Sequence, residues 1–197
     1  LLGKGKHADA IRYYEKAYES SPESEAIRNS LVYAYSSYAV KMAEAEKYDL
    51  GIEYLSKAFD IVRSTYTRQN LALMYAKRAV FSAKRSGWAK SQEDLDMARE
   101  TADGSVACER SLGIALFNDA VDEFKAARDD AAILLLKEAV LVYADSRIYE
   151  FLGDIYYKRT ELEKALFYFD KAVKLDPDNK ALTERREKAN KEEVISV

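Results

Sequence analysis

Apolar and small residues along the chain recur every three or four positions, the spacing of one helical face. The pattern also returns at long range. The segments YYEKAYES, YLSKAFDI, DLDMARET, LLKEAVLV and YFDKAVKL each place an alanine at one point: Ala17, Ala58, Ala98, Ala139 and Ala172. Three residues earlier stands a large apolar side chain (Tyr14, Leu55, Leu95, Leu136, Phe169). Seven residues earlier stands a small one (Ala10, Gly51, Ser91, Ala132, Ala165). A large residue between two small ones lets a neighbouring helix come close while the large side chain interlocks. Between these helices a second element recurs as LVYAYSSYAV, LALMYAKRAV, LGIALFNDAV and LGDIYYKRTE. The pattern predicts an all-α chain of antiparallel helix pairs, four complete pairs after an incomplete first one.

The marker alanines lie 41, 40, 41 and 33 residues apart. In the three long intervals an apolar stripe runs on without a breaker: Val32, Tyr35, Ala39, Ala43; then Ala72, Tyr75, Ala79, Ala83; then Gly113, Leu116, Ala120, Phe124. It stops at Lys47–Asp49, Gly87–Trp88 and Arg128–Asp130. An excess of about seven residues is nearly two helical turns, so the buried face stays in phase and first helices of about 20 residues are expected. The pattern leaves open how the shorter second helices pack on this overhang. Residues 180–197 read as a charged capping helix with Ala181, Leu182 and Ala189 to bury. Val194–Val197 read as the start of a further segment, in preference to a strand-adding tail.

The best-preserved copy, 146–179, carries Tyr149, Leu152, Gly153, Tyr156, Ala165, Phe169, Ala172 and Pro177. These occupy the signature positions of the 34-residue tetratricopeptide repeat, and the chain resembles that family from residue 1 to about 179. Gly5, Ala10, Tyr14, Ala17 and Pro22 fit the end of a truncated copy, whereas Arg63, Asp103 and Ala144 stand where the family has proline. The resemblance implies a right-handed α-solenoid of antiparallel helix pairs. Its expected divisions are a truncated repeat (1–24), three long repeats (25–64, 65–105, 106–145), a standard repeat (146–179) and a cap with tail (180–197).

Composition narrows the chemistry. Lys and Arg number 31 against 34 Asp and Glu, a net charge of -3 that argues against a basic groove for nucleic acid. Seven Gly and two Pro are too few for the turns of a β-sandwich. With one Cys and one His there is no internal disulfide and no multi-histidine metal site. Gly-rich phosphate loops are absent. Cys108 reads as a small buried hydrophobe, His7 as an exposed turn residue, and the many carboxylates as solvated helix faces. Of the 15 tyrosines, Tyr14, Tyr35, Tyr48, Tyr75, Tyr149 and Tyr156 fill packing positions, and Trp88 stands in an inter-helix turn. The chain therefore reads as a non-enzyme without cofactor or metal. Its longest apolar runs, 131–136 and 139–144, are far short of a membrane span. It opens on Leu1 and reads as cut at both ends, so compartment does not follow; an open helix end there would let two copies pair.

In the family it resembles, first helices line a concave surface that holds peptides. Position by position this implies Asn29, Tyr33, Ser36 and Ser37; Gln69, Asn70, Leu73 and Lys77; Arg110, Ile114, Phe117 and Asn118; and Glu150, Asp154, Tyr157 and Lys158. Members that clamp acidic chaperone tails place Lys and Asn in one copy, Asn in the next, and Lys and Arg in a third. Asn70 matches, but Asn29, Tyr33, Ala107 and Ser111 do not, so that mode is not expected. Between Thr67 and Lys90 lie six basic residues and no acid. Acids on adjacent helices, Glu44, Glu46, Asp119, Asp122 and Glu123, are the expected partners of these cations. The expected function is protein–protein recognition or scaffolding by binding alone. The alternative is a structural module positioning an attached catalytic or membrane-anchored domain.

Overall fold

The computed structural model describes residues 7–88 and 91–196, with side chains through Val194. Expectations resting on Leu1, Gly5, Lys90 and Val197 lie outside these residues. Ten helices follow one another among the described residues: α1 (His7–Ser20), α2 (Glu25–Glu44), α3 (Tyr48–Ile61), α4 (Thr65–Ser86), α5 (Gln92–Ala102), α6 (Val106–Lys125), α7 (Asp129–Val142), α8 (Ser146–Lys158), α9 (Leu162–Leu175) and α10 (Lys180–Ser196). This is the expected all-α stack of helix pairs. It forms two compact units, Leu1–Leu112 and Gly113–Val197, with the boundary inside α6.

Each core is shared by more than one pair. In the first unit α1, α2 and α3 enclose Ile11, Leu31, Val32, Ala34, Tyr35 and Ala58. The next cluster, Ala39, Ile52, Leu55, Leu71 and Met74, belongs to α2, α3 and α4. The marker alanines of α3, α5, α7 and α9 are fully buried, as are Leu55, Leu95, Leu136 and Phe169 three residues before them. In α1, Tyr14 and Ala17 are half-buried. In the second unit α8 lies so close to α9 that a Cβ at Gly153 would stand 2.6 Å from the Phe169 ring. Only glycine permits that approach.

Helix starts and turns follow local chemistry. The Ser64 hydroxyl accepts from Thr67 N–H at 3.2 Å while Thr67 Oγ1 accepts from Ser64 N–H at 3.1 Å, a reciprocal cap on α4. Asp145 caps α8 by accepting from Arg147 N–H at 3.0 Å. Three first-to-second-helix turns share one shape. Glu46, Ala127 and Thr160 each sit at positive φ (58°, 57° and 57°), and the next residue's N–H reaches back to a carbonyl five residues earlier.

The first helices α2, α4 and α6 hold 20, 22 and 20 residues against 13 in α8, the lengths the unbroken stripes predicted. The overhang of α4 is tied down by side chains. Phe81 packs on Tyr48 at the start of α3 (4.9 Å between rings). Arg85 reaches Glu46 at 3.0 Å. Arg78 joins three helices, donating to Asp94 of α5 at 2.8 Å and to Asp49 of α3 at 2.7 Å. On α6, Phe124 packs edge-on to Phe151 of α8 at 5.2 Å.

Three expectations need correction. His7 begins α1 half-buried, 6.3 Å from the Tyr38 ring, where an exposed turn residue was expected. In α10, Leu182 and Ala189 are buried seven residues apart, but Ala181 lies one position off that stripe and is exposed. Val194–Ser196 continue α10 and start no separate segment or strand.

Gly153→Ala is expected to lower the urea midpoint: overpacking against Phe169 costs about 1–3 kcal/mol, more than the helix-propensity gain of up to about 1 kcal/mol. Arg78→Met removes the cation held against the nearly buried Asp94 carboxylate and is expected to cost about 2 kcal/mol, a value reduced for the partial exposure of Arg78. Adding Asp94→Leu to Arg78→Met should recover most of that loss in the same urea unfolding measurement.

Candidate functional site

Asn70, Leu73 and Lys77 are spaced three and four residues apart on α4, so one helical stripe carries them. The structure opens a cleft of about 330 Å³ along that stripe. Met74 of α4, Val40, Ala43 and Glu44 of α2, and Tyr48 and Leu55 of α3 complete its lining. Three of the residues expected from the sequence therefore come together. The α2 residues expected with them do not line this cleft: Asn29 is exposed, Tyr33 is 59% exposed and Ser37 half-buried nearer the start of the helix. Ser36 is buried. Arg110 is exposed on α6 and outside the cleft.

Smaller hollows lie in the second unit. Ile114, Phe117 and Asn118 of α6 border one of about 110 Å³ with Tyr143, Asp145, Arg147 and Ile148. Another, of about 220 Å³, lies where α10 meets α8 and α9, lined by Asp154, Tyr157, Phe169, Arg185 and Lys188. Here the chain itself covers the expected ligand face. The Tyr157 hydroxyl donates to Glu192 at 2.6 Å, and Lys188 stands 5.3 Å from the Tyr157 ring. Arg185 bridges Glu150 at 3.0 Å and Asp154 at 2.7 Å. Lys158 lies over the Phe124 ring at 4.6 Å and 3.7 Å from Asp129.

Electrostatics separate structural from uncommitted charge. Most of the basic run in α4 is engaged within the chain: Arg78 and Arg85 in ion pairs, and Arg68 donating to the Asp103 carbonyl at 2.7 Å. Of the acids expected as partners, Glu46 serves Arg85. Glu123 pairs with Arg128 in its own turn, and the partners of Arg78 are Asp94 and Asp49, which the sequence did not single out. Lys77 and Glu44, on opposite walls of the cleft, have no ion pair among the described residues. Burial pushes the Asp154 carboxyl above its ordinary range, with Arg185 pulling it back in part. Burial, then the Glu15 carboxylate at 2.8 Å, raises the Tyr35 phenol well above its usual value.

Val40 escaped the sequence reading, since the α2 stripe through Ala39 and Ala43 was read only as packing. Glu44 was expected only as an ion-pair partner of the α4 cations, a pairing it does not make among the described residues; it lines the cleft instead. Cys108 is buried, with its thiol 3.5 Å from the Thr65 carbonyl. Among the described residues no three His, Cys, Asp or Glu side chains converge as a metal site requires. No helix among them is long and apolar enough to cross a membrane.

Successive antiparallel helix pairs with an open cleft between first helices define a helical-repeat fold. Residues 146–179 and 1–24 each match family models of the tetratricopeptide repeat. These two stretches of the chain are tetratricopeptide repeats. No curated protein matches it. Among solved structures it is similar to the thermophilic TPR protein TTC0263 of Thermus thermophilus, at 16% identity over 94% of this chain and 91% of that one, with a TM-score of 0.38. YrrB, a TPR protein with an unusual peptide-binding site, matches at 14% identity over 93% and 85%, TM-score 0.42. The TPR2AB domain of yeast Sti1, solved with pHSP90, matches at 16% over 93% and 76%, TM-score 0.37.

Arg185→Ala removes the cation that lowers the Asp154 carboxyl and leaves burial acting alone. The Asp154 titration, followed by carbon-detected NMR, is expected to move to higher pH than in the parent chain. An unmoved or lower midpoint would show that Arg185 does not hold this carboxylate.

Proposed function

We propose that the chain binds an extended peptide or partner segment along its first helices, with the α2–α4 cleft as the anchor and no bond made or broken. The observation that carries this reading is the pairing of an apolar lining with uncommitted polar groups. Leu55, Leu73, Met74 and Val40 offer contact to an aliphatic side chain, while Lys77 and Glu44 flank them without ion-pair partners among the described residues. An Asn70 amide can donate to and accept from a ligand backbone at once. Such a constellation, a central apolar pocket with a polar rim, is how small interfaces concentrate affinity. Ile114, Phe117 and Asn118 offer a similar but smaller patch in the second unit. Tyr157 is withdrawn from the ligand surface in this reading, because α10 engages it.

Panning a random peptide library against the chain tests the proposal. Selected peptides are expected to share an aliphatic residue next to an acidic one. Leu73→Asp should weaken their binding by about tenfold or more, and Lys77→Ala by a smaller factor, while Tyr33→Ala leaves it unchanged. Equal binding by the parent chain and Leu73→Asp, with helicity intact by circular dichroism, would place recognition elsewhere.

A further inference from the structure

Within the second unit, one face built by α7, α8 and α9 is organised around aromatic rings that the peptide-binding reading does not use. Tyr149 and Tyr156 are seven residues apart on α8, and Tyr168 of α9 stacks with both. Its ring centre is 6.4 Å from Tyr149 at an interplanar angle of 24°, and 5.4 Å from Tyr156 at 2°. Cations close the ends of this stack. Lys171 lies 5.5 Å from the Tyr149 ring, and Lys164 and Lys137 lie 5.4 and 6.0 Å from the Tyr156 ring. Beside the stack Phe167 is 53% exposed, edge-on to Tyr168 and 4.7 Å from the Lys171 ammonium.

The charges on this face are unevenly committed. Lys164 is held by Glu161 at 2.6 Å. Asp170 of α9 is turned to Arg186 of α10 at 2.8 Å. Lys137 and Lys171 pair with no carboxylate among the described residues, and both are exposed. The half-buried Tyr149 and Tyr168 make no hydrogen bond through their hydroxyls among the described residues. What the face offers is two ammonium groups with no carboxylate partner among the described residues, two phenol O–H donors and an exposed ring.

We propose that this face docks an acidic protein segment in which carboxylates flank an apolar side chain. The carboxylates meet Lys137 and Lys171 and accept from the phenols; the apolar side chain covers Phe167. Nucleic acid suits the face less well. Stacking of bases requires free ring faces, and the tyrosine faces are taken up by one another and by the lysines.

The test uses the full chain and a fluorescein-labelled Glu-Glu-Leu-Glu-Glu peptide, followed by anisotropy at low salt. Binding is expected, with Lys137→Glu/Lys171→Glu weakening it about tenfold or more and Lys137→Gln/Lys171→Gln weakening it less. Circular dichroism confirms that both variants keep their helices. All measurements are made in the Leu73→Asp background, in which the α2–α4 cleft is disabled, so the binding read here is that of the α7–α9 face and the two sites fail or stand independently. The proposal is overturned if the peptide does not bind or if charge reversal leaves its affinity intact. Tighter binding of an oligo-dT strand or of phosphatidylserine vesicles than of the peptide would also overturn it.

Discussion

Among the described residues of the first unit, a helix pair does not cover its own apolar stripe, and the other features follow from how the neighbour covers it. Leu55 shows the arrangement: it belongs to α3, yet the cluster it joins is completed by Leu71 and Met74 of α4. Burying a side chain of that size is worth about 1.5–3 kcal/mol, and here that contribution depends on the adjoining helix being folded. Close approach comes from the small residues. Gly51 faces Met74, Gly113 faces Tyr143 and Gly153 faces Phe169, each glycine meeting a large side chain from another element. Stability is thus distributed among nearest-neighbour junctions, as expected of a stacked repeat.

The ionic groups sort by the same logic. Arg78 satisfies a nearly buried Asp94 in its own pair and an exposed Asp49 in the preceding one. A partly buried ion pair adds little net stability, since desolvation offsets most of the attraction. Its effect is on geometry: it fixes where the α4 overhang lies against α3 and α5. At the other end of the chain, α10 uses Arg185, Lys188 and Glu192, spaced three and four residues apart, to lie on α8. Its buried residues among those described, Leu182 and Ala189, form a narrow apolar stripe.

The stack itself was legible in the sequence because alternation of small and large residues on one face is a local property. Ala58, Ala98, Ala139 and Ala172 sit where that periodicity put them, and Cys108 packs as the small hydrophobe it resembles. Half of the cleft was legible for the same reason: Asn70, Leu73 and Lys77 share a stripe whatever surrounds them. The facing wall was not, since it depends on how far α2 is staggered along α4, a relation between residues about thirty positions apart in the chain. The engagement of Tyr157 by Glu192 was hidden likewise, because a charged helix reads as solvated until its partner is known. Val and Ile have modest helix propensity, yet Val194 and Ile195 extend α10.

Laid against α8 by their shared Leu31 and Leu152 positions, the residues of α2 beyond Ser37 have no counterpart in the shorter helix. Val40, Ala43 and Glu44 all fall in that added length, and they form one wall of the cleft. The turn that follows is nonetheless the same, with Glu46 and Thr160 in matching left-handed conformations. Growth by nearly whole helical turns has therefore added a wall to the cleft while leaving the joint between helices untouched. In a fold built this way, the length of a first helix and the composition of its final turns can vary as one independent module, and the lining of a cleft can be rewritten there without renegotiating how neighbouring helices pack.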